Sequence, residues 1–218
     1  MIALKLIKGS LGQGFYKCEY KDDTFYMNGQ VHTETEFVRI VSSLEGYLVT
    51  EFLCPHPDIA KFCNQTVGCL RYVIGRRLDG SVIDIYSFMR LGTKQSKFVE
   101  NYNAGGVLMV LHNGYYDGGN VLDMSSNKNR VIDQHPDNNI PLKGRIPLWD
   151  EVVEAAHTLT DVLPELCYMG IDFCITDDNR VKIIEINSLT SLDSIQTGES
   201  IFNTQGGIFF RERLNNQK

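Results

Sequence analysis

The sequence lacks several features that would place it in a special class of protein. Its cysteines form no C-x-x-C pair, which argues against a zinc site or a thioredoxin-type redox centre. Several of them lie in apolar runs, where a free cysteine behaves as a small hydrophobic residue, so we expect reduced thiols in a cytoplasmic protein. The cysteines are Cys18, Cys54, Cys63, Cys69, Cys167 and Cys174.

Long apolar runs and clustered positive charge are also missing. No stretch reaches the roughly 18 apolar residues that a membrane span requires, and residues 1–20 contain no apolar signal core. The net charge is −6, whereas a nucleic-acid surface needs clustered Lys and Arg. We therefore expect no membrane span and no nucleic-acid partner, although a small basic pocket for a nucleotide remains compatible with this charge.

The chain has the proportions of hydrophobic and charged residues that are usual for a globular protein. Its 218 residues are enough for one large domain or two small lobes. The order of elements is rich in strands with a few helices, which predicts an α+β fold and not a doubly wound sheet. Strands are predicted at 2–7, 15–20, 24–27, 47–53, 69–76, 81–90, 106–112, 167–176 and 181–187. Helices are predicted at 34–44, from Pro57, at 149–163 and at 205–214, and the segment 113–146 is expected to hold two short strands and a long loop.

The most informative pattern is a predicted hairpin that carries Asp172 and Glu185. If Asp178-Asn179 is its two-residue loop, Asp172 lies directly opposite Glu185. Two opposed carboxylates among apolar neighbours repel each other, so they require either a raised pKa or a nearby cation. The period of two places Asn187 on the same face as Glu185.

This set of oxygen ligands, Asp172, Glu185 and Asn187, is of the kind that holds Mg²⁺ together with substrate phosphates. Two alternatives remain open. In one, the strands face solvent with ordinary acidic residues, and in the other, the two carboxylates form an acid/base pair as in glycosidases.

A glycine-rich loop follows the first predicted strand and contains Gly9, Ser10, Gly12 and Gly14, with Lys5 inside the strand. Glycines let backbone N–H groups approach a phosphate closely. The loop is neither a Walker A motif, since no Gly-Lys-Ser/Thr follows, nor a Rossmann fingerprint, since a strand follows it. An ordinary hairpin loop explains the glycines equally well, but a lysine among Leu and Ile suggests an anionic partner.

Two arginines lie in apolar strand segments and are further candidates for a phosphate site. Arg71 stands in Cys-Leu-Arg-Tyr-Val, and Arg90 ends Tyr-Ser-Phe-Met-Arg. The usual role of such an arginine is to pair with a carboxylate at a surface or edge.

Taken together, these residues resemble the ATP-grasp superfamily, whose metal signature includes an Asp and a Glu-x-Asn pair. A closer likeness is to the sugar-transfer associated ATP-grasp proteins of cell-surface polysaccharide pathways. That likeness rests on Asn101-x-Asn103-Ala104-Gly105-Gly106, His135-Pro136, Gly144-Arg145-Ile146-Pro147-x-Trp149 and Gly170-Ile171-Asp172. The resemblance covers roughly residues 2–196.

The resemblance implies mostly antiparallel sheets with a few packed helices that form a nucleotide cleft. Residues 1–54 would be a small lobe with the glycine flap and a hinge, and residues 55–218 a larger lobe with the metal and triphosphate site. The implied cofactors are ATP and Mg²⁺. The implied reaction activates a carboxylate as an acyl phosphate for attack by an amine or similar nucleophile, on small substrates that include sugar-linked ones.

Individual roles follow from the same resemblance. Lys5 and Arg71 would contact the phosphates or the acyl phosphate, under the flap of residues 9–14. The hinge Glu51-Phe52-Leu53 would contact adenine through its backbone, and Asp58 would hold the ribose hydroxyls. Asp172, Glu185 and Asn187 would hold one or two Mg²⁺ ions.

The sequence departs from the superfamily pattern at two points. Family members usually carry a preceding N-terminal part with another phosphate-binding lysine, and many carry an arginine where this chain has Gly170. One alternative is therefore a truncated or non-catalytic Mg-ATP-binding module that needs a second copy or a partner chain. The roles of His135, Asp193 and Gln196 stay open between turn residues and substrate contacts.

Overall fold

The computed structural model describes residues 1–8, 14–96, 100–123, 126, 128–192, 196 and 200–215. The chain divides into two compact units, Met1–Leu53 and Cys54–Lys218. Both units are built on antiparallel sheets with few helices, which confirms the predicted α+β class.

Unit 1 is a five-stranded antiparallel sheet with one helix packed on one face. The strands occur in the order β4-β3-β2-β1-β5, so β5 forms one edge. Its core consists of Leu4, Cys18 and Met27 under the apolar side of helix α1. The elements are β1 Ile2–Leu6, β2 Tyr16–Lys21, β3 Thr24–Met27, β4 Gln30–His32, α1 Glu34–Ser42 and β5 Tyr47–Glu51.

Helix α1 begins where the sequence predicts it because Thr33 and Glu36 form a capping box. The Thr33 hydroxyl accepts from the Glu36 backbone N–H, and the Glu36 carboxylate accepts from the Thr33 backbone N–H. These bonds satisfy N–H groups that the first turn of a helix leaves without partners.

Unit 2 is a seven-stranded antiparallel sheet in the order β11-β10-β8-β7-β6-β13-β14, with a separate pair formed by β12 and β9. Its strands are β6 Cys69–Arg76, β7 Val82–Leu91, β8 Val107–Val110, β9 Tyr115–Asp117, β10 Gly119–Asp123, β11 Lys128–Ile132, β12 Lys143–Arg145, β13 Tyr168–Ile175 and β14 Val181–Asn187. Its helices are α2 Pro57–Ala60, α3 Trp149–Val162 and α4 Gly206–Asn215, with 3₁₀ turns at Tyr102–Ala104 and Ile201–Asn203.

The two faces of this sheet carry different cores. Alternate residues such as Leu70, Met89 and Ile171 join a large cluster that includes Trp149 and Val152 of α3. The opposite face carries a smaller cluster, in which Val73 and Phe88 pack with Ile201 and with Phe209 of α4. Because side chains alternate along a strand, Arg71 and Asp172 point to the second, less completely covered face.

Two sequence expectations require correction. The segment 113–146 holds four short strands, β9 to β12, and not two, because Gly, Asn and Asp supply turns between very short pairings. The strand predicted to run to Leu53 ends at Glu51, where its pairing with Ile2 at the start of β1 ends. In the described part of the chain, no helix is long and apolar enough to cross a membrane.

Candidate functional site

The predicted pairing of Asp172 with Glu185 is present, although the loop length and the strand register of the hairpin differ from the prediction. The loop has three residues, since the Thr176 N–H donates to the Arg180 carbonyl, so the predicted two-residue loop is wrong. Asn179 takes a positive φ of 56°, which Asn tolerates better than most residues. A register shift between Asp172 and Phe173 then restores the pairing of Asp172 with Glu185 and of Gly170 with Asn187.

Asp172 is buried at the centre of a charged cluster. Arg71 on neighbouring β6 donates two hydrogen bonds to its carboxylate, from Nε to Oδ1 and from Nη2 to Oδ2 at 2.7 Å. Arg90 on β7 donates from Nη2 to Oδ2 at 3.0 Å. Only 3% of Asp172 is exposed, so these charge-assisted bonds are shielded from water. The cation that a buried carboxylate requires is therefore supplied by guanidinium groups.

The electrostatics of Asp172 decide its protonation. Burial raises the pKa of its carboxyl, but the hydrogen bond from Arg71 and the charges of Arg90 and Arg71 outweigh burial and lower the pKa below its ordinary value. Asp172 is thus held as an anion, which makes it unsuitable as the proton donor of a carboxylate-pair hydrolase.

Glu185 and Asn187 have a different environment from Asp172. The Glu185 side chain is 57% exposed, so only Asp172 of the two opposed carboxylates is buried. The Asn187 Nδ2 group donates to Glu185 Oε1 at 2.9 Å, and Arg71 Nη2 lies 3.8 Å from the same oxygen. Their remaining oxygens are hard ligands that suit Mg²⁺, whereas Asp172 already accepts from both arginines. No cluster of three or more His, Cys, Asp or Glu side chains with metal-binding geometry occurs among the described residues.

Gly170 makes room for Arg71. A Cβ at Gly170 would lie 2.7 Å from Thr190 Oγ1 and 3.0 Å from Arg71 Cδ. The Thr190 hydroxyl accepts from Arg71 Nη1 at 2.7 Å, so each of the three guanidinium nitrogens of Arg71 has a partner. The missing side chain at Gly170 thereby allows the Arg71 side chain to run across β13 to Thr190.

The sequence interpretation missed the polar groups next to Arg90. Among the described residues, Arg90 Nε, Glu100 Oε1 and Thr66 Oγ1 are buried without a hydrogen-bond partner. Burial raises the pKa of Glu100 to about 7, although the Arg90 charge and the nearby Gly68 N–H and Thr66 hydroxyl lower it. Glu100 lies in a polar loop rather than a patterned strand, so no period in the sequence indicated it.

Unit 1, described by itself, carries two lysines on one face of its sheet. Lys5 lies on the face of the sheet away from α1, because its neighbour Leu4 is in the core under α1. Lys17 pairs with Ala3 and so shares that face, and its Nζ lies 4.6 Å from the centre of the Phe52 ring. Thr50 also pairs with Ala3, and its hydroxyl is buried without a partner among the described residues. Lys17 was not among the predicted site residues.

The remaining predicted site residues are placed as follows. Gly9, Ser10, Gly12 and Asp193 lie outside the described residues. Gly14 has a φ of +66°, and a Cβ there would approach Leu6 and the Tyr47 hydroxyl to 2.7 Å, so only glycine fits without strain.

The hinge and ribose candidates lie in different units. The Phe52 N–H donates to the Met1 carbonyl at 3.5 Å, and Glu51 and Leu53 flank it at the end of unit 1. Asp58 is exposed at the start of α2 in unit 2, with Lys61 Nζ at 3.9 Å.

His135 and Gln196 have opposite exposures. His135 is completely buried, packs against the Phe62 ring and bonds to the Gly92 carbonyl at 3.3 Å. Burial lowers its pKa, so a neutral ring holds this loop, and direct contact with a substrate is excluded for this side chain. Gln196 is exposed.

Comparison with known proteins identifies the family of the chain. A family model described as sugar-transfer associated ATP-grasp matches residues 2–207. A search of curated proteins found no match. The matched region includes Lys5, Arg71 and the strand pair with Asp172, Glu185 and Asn187, and the chain belongs to the sugar-transfer associated ATP-grasp family.

Proposed function

We propose that this protein uses ATP to activate a carboxylate as an acyl phosphate and then joins it to an amine or a similar nucleophile. The observation that carries the proposal is the arrangement of Arg71, Arg90, Asp172, Glu185 and Asn187 on one face of the unit 2 sheet. Membership in an ATP-grasp family supports ATP-dependent, ligase-type chemistry.

Arg71 and Arg90 would neutralise the phosphates. Asp172 orients both guanidiniums, because three hydrogen bonds converge on its buried carboxylate. A guanidinium that is already oriented loses little further freedom when a phosphate binds, which favours stabilisation of the charge that develops during phosphoryl transfer.

Glu185 and Asn187 would bind Mg²⁺ directly, while the third predicted ligand, Asp172, would have to share its oxygens between the arginines and the ion. When bound, the ion would polarise the phosphoryl oxygens and orient the phosphates. Arg71 and Arg90 would hold the triphosphate in position, and their positive charges would offset the negative charges of Asp172 and Glu185.

In unit 1, Lys5 would contact the phosphates, and the glycine flap with Gly9, Ser10, Gly12 and Gly14 would cover them. We add Lys17 and Thr50 to this set, because both share the face of Lys5. The adenine would contact the backbone of Glu51, Phe52 and Leu53, and Asp58 would bind the ribose.

In the first step, a substrate carboxylate oxygen attacks the γ-phosphorus and ADP leaves. In the second step, the amine nitrogen attacks the acyl carbon, inorganic phosphate leaves and the amine proton passes to water. We further propose that the substrates are sugar-linked and belong to cytoplasmic steps of cell-surface polysaccharide synthesis.

A thermal-shift titration with Mg-ATP tests the nucleotide site. A ligand that binds only the folded protein raises its melting temperature. We expect an Mg²⁺-dependent rise in the wild type that is lost in Glu185→Ala and kept in Glu154→Ala, a matched control on the exposed face of α3. A Glu185→Ala variant that responds like the wild type would contradict the proposed metal site.

One observation favours a second candidate, a Mg-ATP-binding module that needs a second copy or a partner chain for turnover. The Asp172 carboxylate is engaged by both arginines, which leaves Glu185 and Asn187 as the readily available metal ligands. Tight Mg-ATP binding without ADP release, under any mixture of carboxylates and amines, would favour this candidate over the ligase.

A further inference from the structure

A cavity of about 700 Å³ lies in unit 2 beside the first half of strand β7. Its volume falls within the range of small-molecule sites, and none of the residues discussed above as contacts of ATP or Mg²⁺ lines it. The cavity results from a gap in the sheet, because β8 pairs with β7 only along Phe88–Leu91.

The gap leaves part of an interior strand open. Residues 82–86 of β7 pair with β6 on one side, and among the described strands none pairs with them on the other. The register shift between Val73 and Ile74 further bends β7 at this point. His112 and Asn113 after β8, and Thr204 and Gln205 after Ile201, also line the cavity.

The lining has an apolar base and a polar rim. Trp149 and Leu111 are each 95% buried, belong to the same large apolar cluster and form the base. The rim is formed mainly by groups that both donate and accept hydrogen bonds, including Asn113, Asn120 and Gln205. An amide side chain of this kind matches a hydroxyl or an amide on a ligand.

The charges of the lining restrict the ligand further. No Lys or Arg occurs among the described residues that line the cavity, so nothing there would neutralise a phosphate or a carboxylate. Asp84 is the one acidic residue of the lining, and His157 Nε2 lies 2.9 Å from its Oδ1. The Tyr72 hydroxyl also interacts with Asp84, and burial together with this carboxylate raises the pKa of Tyr72. Asp84 therefore interacts with two protein groups, His157 and Tyr72.

We propose that this cavity binds an uncharged, polyhydroxylated group of the size of one sugar ring. The apolar base would pack against the C–H face of the ring, and the amides of the rim would bond to its hydroxyls. Ser87 on the cavity wall lies three residues before Arg90, about 10 Å along β7. Because side chains alternate along a strand, Ser87 and Arg90 face opposite sides of the sheet, so the cavity is separate from the arginine cluster.

The inference goes beyond the proposed function, since it concerns binding at a separate place and does not require ATP. Trp149 is the single tryptophan of the chain and lines the cavity, so its fluorescence reports on occupancy. The probes are glucose, galactose and N-acetylglucosamine, titrated separately into the full-length protein, with inorganic phosphate as the charged control.

We expect at least one of the sugars to change the Trp149 emission saturably, with a dissociation constant on the order of 1 mM or lower. The Gln205→Ala and Asn120→Ala variants should weaken that binding about fivefold or more, while Glu185→Ala should bind the sugar normally. Gln205 is exposed in a turn, so its variant remains informative if Asn120→Ala fails to fold.

The absence of a saturable change with all three sugars would overturn the proposal. So would a sugar response that persists unaltered in Gln205→Ala and in a folded Asn120→Ala, or an equal response to inorganic phosphate. Loss of Mg-ATP binding in Glu185→Ala with an intact sugar response would leave this inference standing, and failure of the ATP titration in the wild type would count against the proposed function alone.

Discussion

Replacing Asp172 by alanine tests whether its ion pairs with Arg71 and Arg90 stabilise the folded protein. The change removes a carboxylate that is 3% exposed and accepts hydrogen bonds from Arg71 and Arg90. The two guanidiniums then remain partly buried without their shared anion. Breaking a buried ion pair on one side costs about 3–5 kcal/mol of the free energy of unfolding.

For a unit of this size, that cost corresponds to a fall in melting temperature of roughly 6–20 °C. Urea unfolding followed by Trp149 emission is a suitable assay, because this tryptophan lies in unit 2. The control is Asp117→Ala, which removes an exposed ion pair with Lys143 and should cost about 1 kcal/mol or less.

A double-mutant cycle measures the coupling energy between Asp172 and Arg71. Asp172→Leu combined with Arg71→Met removes the carboxylate and one of its two arginines, so the double variant should lose less stability than the sum of the losses of the two single variants. A cost below about 1 kcal/mol for Asp172→Ala, or the absence of coupling with Arg71, would refute the view that this buried network is held together by complementary charge.

Other predictions follow from particular residues. The pKa of Glu100 is about 7 in the fold, above its unfolded value near 4.3, so stability falls as pH rises between these values. Glu100→Gln should remove that fall, a gain of roughly 3 kcal/mol above pH 7, and identical profiles of melting temperature against pH would contradict this. The folded pKa of Asp172 is lowered, so its contribution is complete above about pH 4 and is lost in stronger acid, a dependence absent from Asp172→Asn. Gly170→Ala should displace Arg71 and weaken Mg-ATP binding about tenfold or more by calorimetry, while Thr33→Ala, which removes a helix cap, should cost about 1 kcal/mol and leave that affinity unchanged.

Much of the local structure could be predicted because its causes are local. Thr33 and Glu36 specify the start of α1 through their own hydrogen bonds, and the apolar stripe of α3 specifies that helix through its period. The pairing of Asp172 with Glu185 was predicted from an assumed two-residue loop, and the pairing itself is present. The loop length was mispredicted, since a three-residue turn and a register shift compensate for each other, and no pattern in one strand reveals a bulge in its neighbour.

The sequence by itself determined the class of fold, the strand pair that presents Glu185 and Asn187, and the need for either a raised pKa or a cation at the opposed carboxylates. Only the tertiary structure decided which cation that is, since Arg71 and Arg90 lie 101 and 82 residues away along the chain and reach Asp172 through the pairing of β13 with β6 and of β6 with β7. It likewise decided that Glu100 is buried against Arg90 and that a gap beside β7 forms a cavity. Burial and charge pairing are properties of neighbours in space, and the order of residues along one strand does not contain them.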